Sequence, residues 1–188
     1  ASKLSTGKSY TSSLMFGVQW DLVLKHIEVK EVEKGTALAT IQSALRSDSS
    51  SWGNYYNASF EINRGKYAKY GSGSLSTWYN YNTALENCVT YANGTSTKIS
   101  ASDYNNSILL TTGASDACKK MNIYDLAGNV WEWTLEYTAD TYSPCADRGG
   151  YYLDYGSGSG SGSPASYRDI RYTASSGNTL GFRSSLFK

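Results

Sequence analysis

An acidic turn followed by a tryptophan-rich segment is the part of the sequence whose residue types could bind a metal ion. Asp125 precedes a Gly128–Asn129 turn, and Glu132 follows it, within "NIYDLAGNVWEWTLE" at residues 122–136. Two carboxylates and several turn carbonyls this close in sequence are the kind of oxygen ligands that Ca²⁺ takes. The same residues also fit a structural role, in which Asp125 caps the turn, Glu132 pairs with a buried arginine and the tryptophans belong to the core.

A second segment, "YYLDYGSGSGSGSPASYRDIRY" at residues 151–172, has the composition of a recognition surface. Tyrosine offers a large, rigid and amphipathic contact area at low entropic cost, and serine and glycine allow close, adaptable hydrogen bonds. Tyrosine and arginine are also prominent among the residues that dominate binding energies at interfaces. The predicted ligand-binding surface consists of Tyr151, Tyr152, Asp154, Tyr155, Tyr167, Arg168, Asp169, Arg171 and Tyr172.

The Gly/Ser run inside this segment leaves alternatives open. A Gly/Ser repeat with nothing around it behaves as flexible coil, so the run could be an insert without contacts. Loops rich in Tyr, Gly and Ser also occur as plain connections, and some of the tyrosines could pack inward on the face of Trp131. In the recognition hypothesis the run is the low-profile middle of the surface, and Pro164 stiffens the returning chain.

The spacing of the cysteines and the histidine does not suggest a structural zinc site. The chain has three cysteines, Cys88, Cys118 and Cys145, none of them in a CxxC pair, and one histidine, His26. Zinc sites of this kind need four such ligands at short spacings. Cys118 and Cys145 flank the acidic turn and could form a disulfide, whereas three buried, reduced thiols are the alternative. His26 is predicted to be an ordinary residue on a helix face.

The elements that must position these residues begin with two helices. Apolar residues at helical spacing predict a first helix over residues 14–34, ended by Gly35. A second, shorter helix is predicted over residues 36–47, with Thr36 as its cap. The apolar stripe of the first helix consists of Val18, Leu22, Val23 and Ile27, widened by Trp20 and Leu24.

The rest of the chain is predicted to be rich in loops and short strands. Residues 52–81 have no sustained period and are predicted as loops with at most short strands. A short helix is predicted over residues 83–94, because Thr83 and Glu86 match the capping-box spacing and Asn93–Gly94 is a stop signal. Strands are predicted over residues 107–113, 129–134 and 180–187. The predicted fold class is therefore mixed α+β.

Length and composition fit one globular domain without a polyanionic partner. The chain has 188 residues, of which 40% are hydrophobic, and this is enough to bury a core. The net charge is +1 and the lysines and arginines are scattered, so no nucleic-acid partner is expected. No apolar run approaches the roughly 20 residues of a membrane helix, so no membrane span is predicted.

Three motifs in order give the chain a resemblance to a known family. "YDLAGNVWEW" at residues 124–133, "RGG" at Arg148–Gly150 and "GFR" at Gly181–Arg183 resemble the formylglycine-generating-enzyme or sulfatase-modifying-factor family, over roughly residues 14–188. The resemblance implies a single C-type-lectin-like domain over residues 1–188, with long loops, two helices and short antiparallel strands. Family members have strands and part of a helix before this point, so the domain is expected to lack its N-terminal beginning. Arg148 and Arg183 are assigned to structure, because an arginine fork can hold several carbonyls or a carboxylate.

For metals, the resemblance implies calcium and argues against copper. In calcium-bearing members the matching positions supply side-chain oxygen from Asp125 and Glu132 and backbone oxygen from Gly128 and Val130. The enzymatic branch oxidises a substrate cysteine to formylglycine with copper held by two cysteines just after the "RGG" motif. The matching segment here, residues 148–168, contains no cysteine, and tyrosine or serine cannot replace the thiolates that Cu(I) needs. A related iron-dependent branch needs several histidines, and this chain has one. No copper and no catalysis are therefore expected.

A non-catalytic branch of the resemblance fits better. Variable proteins of diversity-generating retroelements use this fold to display a diversified segment between an "RGG"-like motif and a closing "GFR". Residues 148–183 are therefore the candidate variable region, and residues 151–178 are dominated by the types that adenine-directed mutagenesis gives most readily. The predicted function is binding of a partner protein or cell-surface molecule, in a phage tail or on a bacterial surface. The alternatives are a formylglycine-generating-type oxidoreductase or degenerate relative, and a purely structural virion or surface domain.

Overall fold

The structure, a computed structural model, describes residues 11–71, 73–157 and 162–187. Two helices lie near the N-terminus and short strands joined by long loops follow, so the predicted α+β class is confirmed. Neither helix of this described part is long and apolar enough to cross a membrane. The helices are α1 (Gly17–Glu33) and α2 (Leu38–Arg46). The strands are β1 (Thr11–Leu14), β2 (Phe60–Ile62), β3 (Lys66–Gly71), β4 (Ser74–Asn80), β5 (Val89–Ala92), β6 (Thr95–Lys98), β7 (Ile108–Leu110), β8 (Lys119–Lys120), β9 (Ile123–Tyr124), β10 (Trp131–Tyr137), β11 (Cys145–Arg148), β12 (Arg168–Arg171), β13 (Leu180–Phe182) and β14 (Ser184–Phe187).

Helix α1 begins later than predicted and buries only part of the predicted stripe. It starts at Gly17, because the chain before it forms β1, which pairs with β14. Val18 and Leu22, which were predicted to line the buried stripe, are exposed. The apolar spacing is compatible with two faces of this helix, and packing selects the face that carries the tryptophan. The buried hydrophobic residues of α1 are Trp20, Leu24 and Ile27.

Helix α2 packs against α1 around a buried carboxylate. The predicted cap, Thr36, does not cap α2, whose first turn lacks a side-chain cap. Glu28 of α1 is buried and accepts hydrogen bonds from Gln42 at 3.2 Å and from Arg46 at 3.0 Å. Lys25 also pairs with Glu28. These contacts neutralise the buried charge and fix one helix on the other.

The helix predicted over residues 83–94 is wrong, because this part of the chain enters a β-hairpin. Strands β5 and β6 pair in antiparallel fashion on either side of Asn93 and Gly94. Both turn residues have positive φ, 53° and 79°, as a two-residue hairpin turn of type I′ requires. The Asn-Gly pair therefore closes a hairpin and does not end a helix.

Residues 52–81 contain more strand than predicted. Strands β3 and β4 form a hairpin, and β7 pairs with the other edge of β3. Most side chains of β4 are exposed, so the sequence lacks the apolar alternation that would reveal a half-buried strand. The strand predicted over residues 107–113 is confirmed as β7.

Four strands of the C-terminal half form one sheet, in the order β12–β11–β10–β13. Strand β10 pairs antiparallel with β11 and parallel with β13, and β11 pairs antiparallel with β12. Residues opposite one another in such a ladder point to the same face. Glu132, Arg148 and Arg168 are aligned in this way. Their face lies towards α1, because Arg148 forms an ion pair with Asp21 of that helix.

The other face of this C-terminal sheet is termed the open face. Trp133 is opposite Asp147 on one side and Phe182 on the other, and Asp147 is opposite Asp169. Phe182 is exposed, so this face reaches solvent at β13, whereas Trp131 and Asp147 on the same face are buried. The open face carries Trp131, Trp133, Asp147, Asp169, Arg171 and Phe182.

Candidate recognition site

The turn before β10 is a buried structural device built around Asn129. Gly128 and Asn129 both have positive φ, 69° and 66°. The Asn129 side chain pairs with Leu110 of β7: its Oδ1 accepts from the Leu110 amide at 3.0 Å, and its Nδ2 donates to the Leu110 carbonyl at 3.2 Å. Asn54 donates to the same Oδ1 at 2.9 Å. The "GNV" motif therefore fixes the start of β10 against the strand-rich half of the domain.

Arg183 is the cation that lies beside Glu132. Its Nε and Nη2 donate to the two carboxylate oxygens at 2.8 and 2.7 Å, and Nη2 also donates to the Tyr124 carbonyl at 3.0 Å. Burial raises the pKa of Glu132, and Arg183 opposes that shift. Of the two roles open for Glu132 in the sequence, the structure shows the arginine pair.

The other predicted calcium ligands are partly engaged. Asp125 Oδ2 accepts from the Gly113 amide at 2.7 Å, and the Gly128 carbonyl accepts from the Val130 amide at 2.9 Å. Asp125 Oδ1 is buried and has no hydrogen-bond partner among the described residues, and burial raises the pKa of this carboxyl. As arranged, these groups do not fit a calcium shell, because Glu132 would first have to release its arginine. Calcium binding stays a prediction.

The cysteines are free thiols. Cys88 and Cys118 are buried and Cys145 is half-buried on β11, so the disulfide considered between Cys118 and Cys145 is not formed. Burial raises the pKa of Cys118 far above its ordinary value. A thiol held in this protonated form is a poor nucleophile and a poor metal ligand.

Trp131 is the centre of an aromatic cluster on the open face. Tyr151 stacks on it with ring centroids 5.5 Å apart and an interplanar angle of 28°, and Tyr167 contacts it at 5.5 Å. The guanidinium of Arg171 lies 5.4 Å from the same ring. Arg171 Nε donates to Asp147 Oδ2 at 2.7 Å. One tryptophan thus collects two tyrosines of the β11–β12 connection and one arginine of β12, all within the candidate variable region.

Most of the predicted surface residues reach solvent. Tyr155 packs on Tyr56 with ring centroids 4.3 Å apart and is still exposed. A binding surface of this type combines a fixed base with an accessible edge. Tyr155, Tyr167 and Tyr172 are exposed, and Tyr151, Asp154, Asp169 and Arg171 are half-buried.

Two predicted residues do not belong to this surface. Tyr152 is fully buried, because its amide donates to the Asn129 carbonyl at 3.1 Å and its ring lies against Tyr70. Arg168 is exposed but lies on the face towards α1, where it pairs with Glu136 at 2.8 Å. The strand register determines the face of the sheet on which Arg168 lies, and composition does not reveal that register. Composition also does not reveal which ring of the Tyr151–Tyr152 pair is buried.

The Gly/Ser run is attached to the core at both described ends. The Gly156 carbonyl accepts from the Ser49 amide at 2.8 Å. On the returning side, the buried Tyr55 hydroxyl donates to the Ser163 carbonyl at 2.8 Å. Residues 158–161 of the run lie outside the described residues. The contacts of Gly156 and Ser163 show that the two described ends of the run are held by the domain.

The open face also includes residues that sequence reasoning assigned to the core or did not single out. Trp133 was assigned to the core and is half-buried, and Phe182 opposite it on β13 is exposed. Tyr137 at the end of β10 is exposed as well. Tyr70 contacts Tyr104 at 6.3 Å and continues the ring contacts towards β3. Alternation along β10 predicts that Trp133 shares a face with Trp131. Nothing in the local sequence, however, indicates that β10 pairs with β13.

Comparison with known proteins identifies the family. No curated protein and no solved structure matches the chain. The family model described as "Sulfatase-modifying factor enzyme 1-like domain" matches residues 40–185. The match begins within α2 and includes the acidic turn and all four strands of the C-terminal sheet. The chain therefore belongs to the sulfatase-modifying factor family and has its α+β, C-type-lectin-like fold.

Proposed function

We propose that this chain is a non-catalytic recognition domain whose open face binds a protein or cell-surface ligand, as a variable protein of a diversity-generating retroelement. The observation that carries the proposal is the aromatic cluster on Trp131. Its base is buried and held by stacking, and its outer rings, such as Tyr167, are exposed. Aromatic anchors on a rigid base are typical of binding surfaces.

The division between scaffold and surface within residues 148–183 supports the proposal. Buried backbone holds the segment in place: Trp20 Nε1 donates to the Ala165 carbonyl at 2.9 Å, and the Ala165 amide donates to Ser49 Oγ at 2.9 Å. The exposed side chains of the segment take little part in these contacts. Loops on a rigid scaffold can therefore change their side chains without loss of the fold. A phage tail or bacterial surface would suit such a domain.

The alternative from the family, an oxidoreductase of the formylglycine-generating type, is less well supported by the chemistry of the chain. Residues 148–168, where the enzymatic branch holds copper, contain no cysteine. Titration with copper followed by a thiol-peptide oxidation assay separates the two functions. We expect no turnover, and turnover above the rate of free copper would overturn the non-catalytic assignment.

Sequencing the gene from several isolates tests the display function directly. We expect differences between isolates to concentrate at exposed positions such as Tyr167 and Tyr172 and at the half-buried Tyr151. The buried Tyr152 and Ala165 should remain constant, because they hold the scaffold. We also expect a reverse transcriptase gene and a template repeat nearby. Identical copies in many isolates, or differences spread evenly over the chain, would contradict the proposal.

A further inference from the structure

Three carboxylates and one guanidinium lie near Tyr167, an exposed ring of the aromatic cluster. The carboxylates are those of Asp169, Asp154 and the buried Asp147, and the guanidinium is that of Arg171. Burial raises the pKa of Asp147 and of Asp154, but a nearby cation favours their ionised forms, and these four groups then carry an excess of negative charge. The chain as a whole has a net charge of +1, so this excess is local. A surface with such an excess attracts cationic groups and repels anionic ones.

Arg171 does not offer a free cation to an acidic ligand. Its Nε donates to Asp147 Oδ2 at 2.7 Å, and its Nη2 lies 3.1 Å from Asp169 Oδ2. Its guanidinium also packs on Trp131. An acidic ligand would have to break these contacts before it could pair with Arg171.

Asp154 and Asp169 provide charge but few free acceptor atoms. Asp169 Oδ1 accepts from the Ile170 amide at 2.9 Å, and Asp154 Oδ1 accepts from the Tyr155 amide at 2.9 Å. Asp154 Oδ2 accepts from the Ser163 hydroxyl. A neutral sugar needs directed hydrogen bonds to free acceptors, whereas a cation responds to the negative field of the same carboxylates. The arrangement therefore favours a cationic ligand.

Asp147 adds a buried carboxylate oxygen that accepts no hydrogen bond from the described residues. Its side chain is fully buried, and Oδ1 has no hydrogen-bond partner among the described residues. It lies between Trp133 and Asp169 in the strand ladders, so it belongs to the open face. A buried carboxylate with an unpaired oxygen is stabilised by positive charge that approaches it.

The exposed rings complete the chemistry. Tyr167 and Phe182 are exposed, and Trp133 between the strands is half-buried. A lysine ammonium or arginine guanidinium is attracted to the face of such a ring. We propose that the open face selects protein segments that present a lysine or arginine side chain, held by aromatic rings beside the three carboxylates. This inference rests on the proposed recognition function of the same face.

Selection from a random peptide library on immobilised full chain tests the inference. The first variant carries Tyr167→Ser and Phe182→Ser, at residues whose exposures are 40% and 62%. The matched control carries Tyr91→Ser and Leu22→Ser, at residues elsewhere with exposures of 43% and 62%. Thermal melting of both variants checks that each remains folded. We expect enrichment on the wild type and the control but not on the first variant, with lysine and arginine in excess over the input library.

Affinity measurements on one selected synthetic peptide sharpen the test. Replacing its basic residue by glutamine should weaken binding about tenfold, the upper part of the range for a cation over a ring beside carboxylates. Asp169→Asn should weaken binding about threefold and reduce its dependence on salt, because one exposed charge is lost. Asparagine keeps the size of the side chain, but its one oxygen can accept from Arg171 or from the Ile170 amide and not from both, so thermal melting of this variant accompanies the affinity measurement.

The outcomes separate the two proposals. Peptides that require the open face but show no excess of lysine or arginine, or a glutamine substitution without effect, would overturn the inference and leave the recognition face standing. Binding of uncharged glycans on an array, lost in the Tyr167→Ser, Phe182→Ser variant, would have the same meaning. Equal enrichment on the wild type and on that variant would overturn the proposed function itself.

Discussion

Arg183 bears on two chemical interpretations of the acidic turn. Locally, Asp125 and Glu132 have the pattern of oxygen ligands for a hard cation. The guanidinium that neutralises Glu132 comes from 51 positions later in the chain, on the segment that closes the domain. This guanidinium neutralises Glu132 without a metal ion, and it donates two directed hydrogen bonds, which a calcium ion cannot do.

We predict that Arg183→Met lowers the free energy of unfolding by about 3 to 5 kcal/mol, because it leaves Glu132 buried without its partner. Adding Glu132→Gln to that variant should recover part of the loss, since the buried charge is then removed. Urea unfolding of the three proteins measures both effects. A chelator should leave the melting temperature of the wild type unchanged. A fall in melting temperature with chelator, reversed by calcium, would instead support the calcium site implied by the family resemblance.

At the scale of elements, the turn before β10 shows how packing can require one particular residue in a sequence motif. Gly128 has a φ of 69°, and an added Cβ would collide with the Asn54 carbonyl oxygen. Asn54 and Gly128 also form a parallel bridge, so the two backbones cannot move apart without breaking it. The start of β10 therefore depends on a glycine at this position.

We predict that Gly128→Ala destabilises the domain by more than about 3 kcal/mol, or prevents folding, because backbone strain and a backbone collision add together. Gly94→Ala is the matched control. Gly94 has a φ of 79°, but no atom lies within 4 Å of an added Cβ. Its replacement should cost only about 1 to 2 kcal/mol of strain. Equal losses in the free energy of unfolding of the two variants, measured with urea, would show that the contact with Asn54 is not the reason why glycine is required at position 128.

Local patterns predicted the elements better than they predicted faces and partners. Both helices, β7, β10 and the closing strands were expected, because apolar periodicity marks them. The hairpin of β5 and β6 was mistaken for a helix, since Asn-Gly can end either element. The exposure of Val18 and the orientation of Arg168 depend on packing and strand register, which are set by distant parts of the chain. The residue types of the surface could therefore be predicted, but the arrangement of its rings on Trp131 could not.

At the scale of the whole molecule, Lys98 ties the strand-rich half to the helical half. It ends β6, yet its side chain is fully buried and its Nζ donates to the carbonyls of Tyr55 at 2.8 Å, Tyr56 at 3.2 Å and Ala58 at 2.6 Å. Tyr55 and Ala58 belong to the core cluster that contains Trp20. The carbonyls of Tyr55 and Tyr56 also accept from the amides of Ala58 and Ala101, so the buried amine adds to loop hydrogen bonds that already exist. It also connects the core around Trp20 with a second apolar cluster, which contains Val89 opposite Lys98 on β5.

Lys98 should make the stability of the domain depend on pH, because burial lowers the pKa of its amine to about 7. In the unfolded chain this pKa returns to about 10.4. Between those values the unfolded chain binds more protons, so the free energy of unfolding should rise with pH, by up to about 4 kcal/mol. Lys98→Met lacks this contribution, and its difference from the wild type in urea unfolding should therefore grow from pH 7 to about pH 10. Cysteine ionisation in the unfolded state affects both proteins and cancels in the difference. The exposed Lys66→Met serves as control and should show a difference that does not change with pH. A constant difference for Lys98→Met would mean that the three carbonyls keep the amine protonated throughout this range.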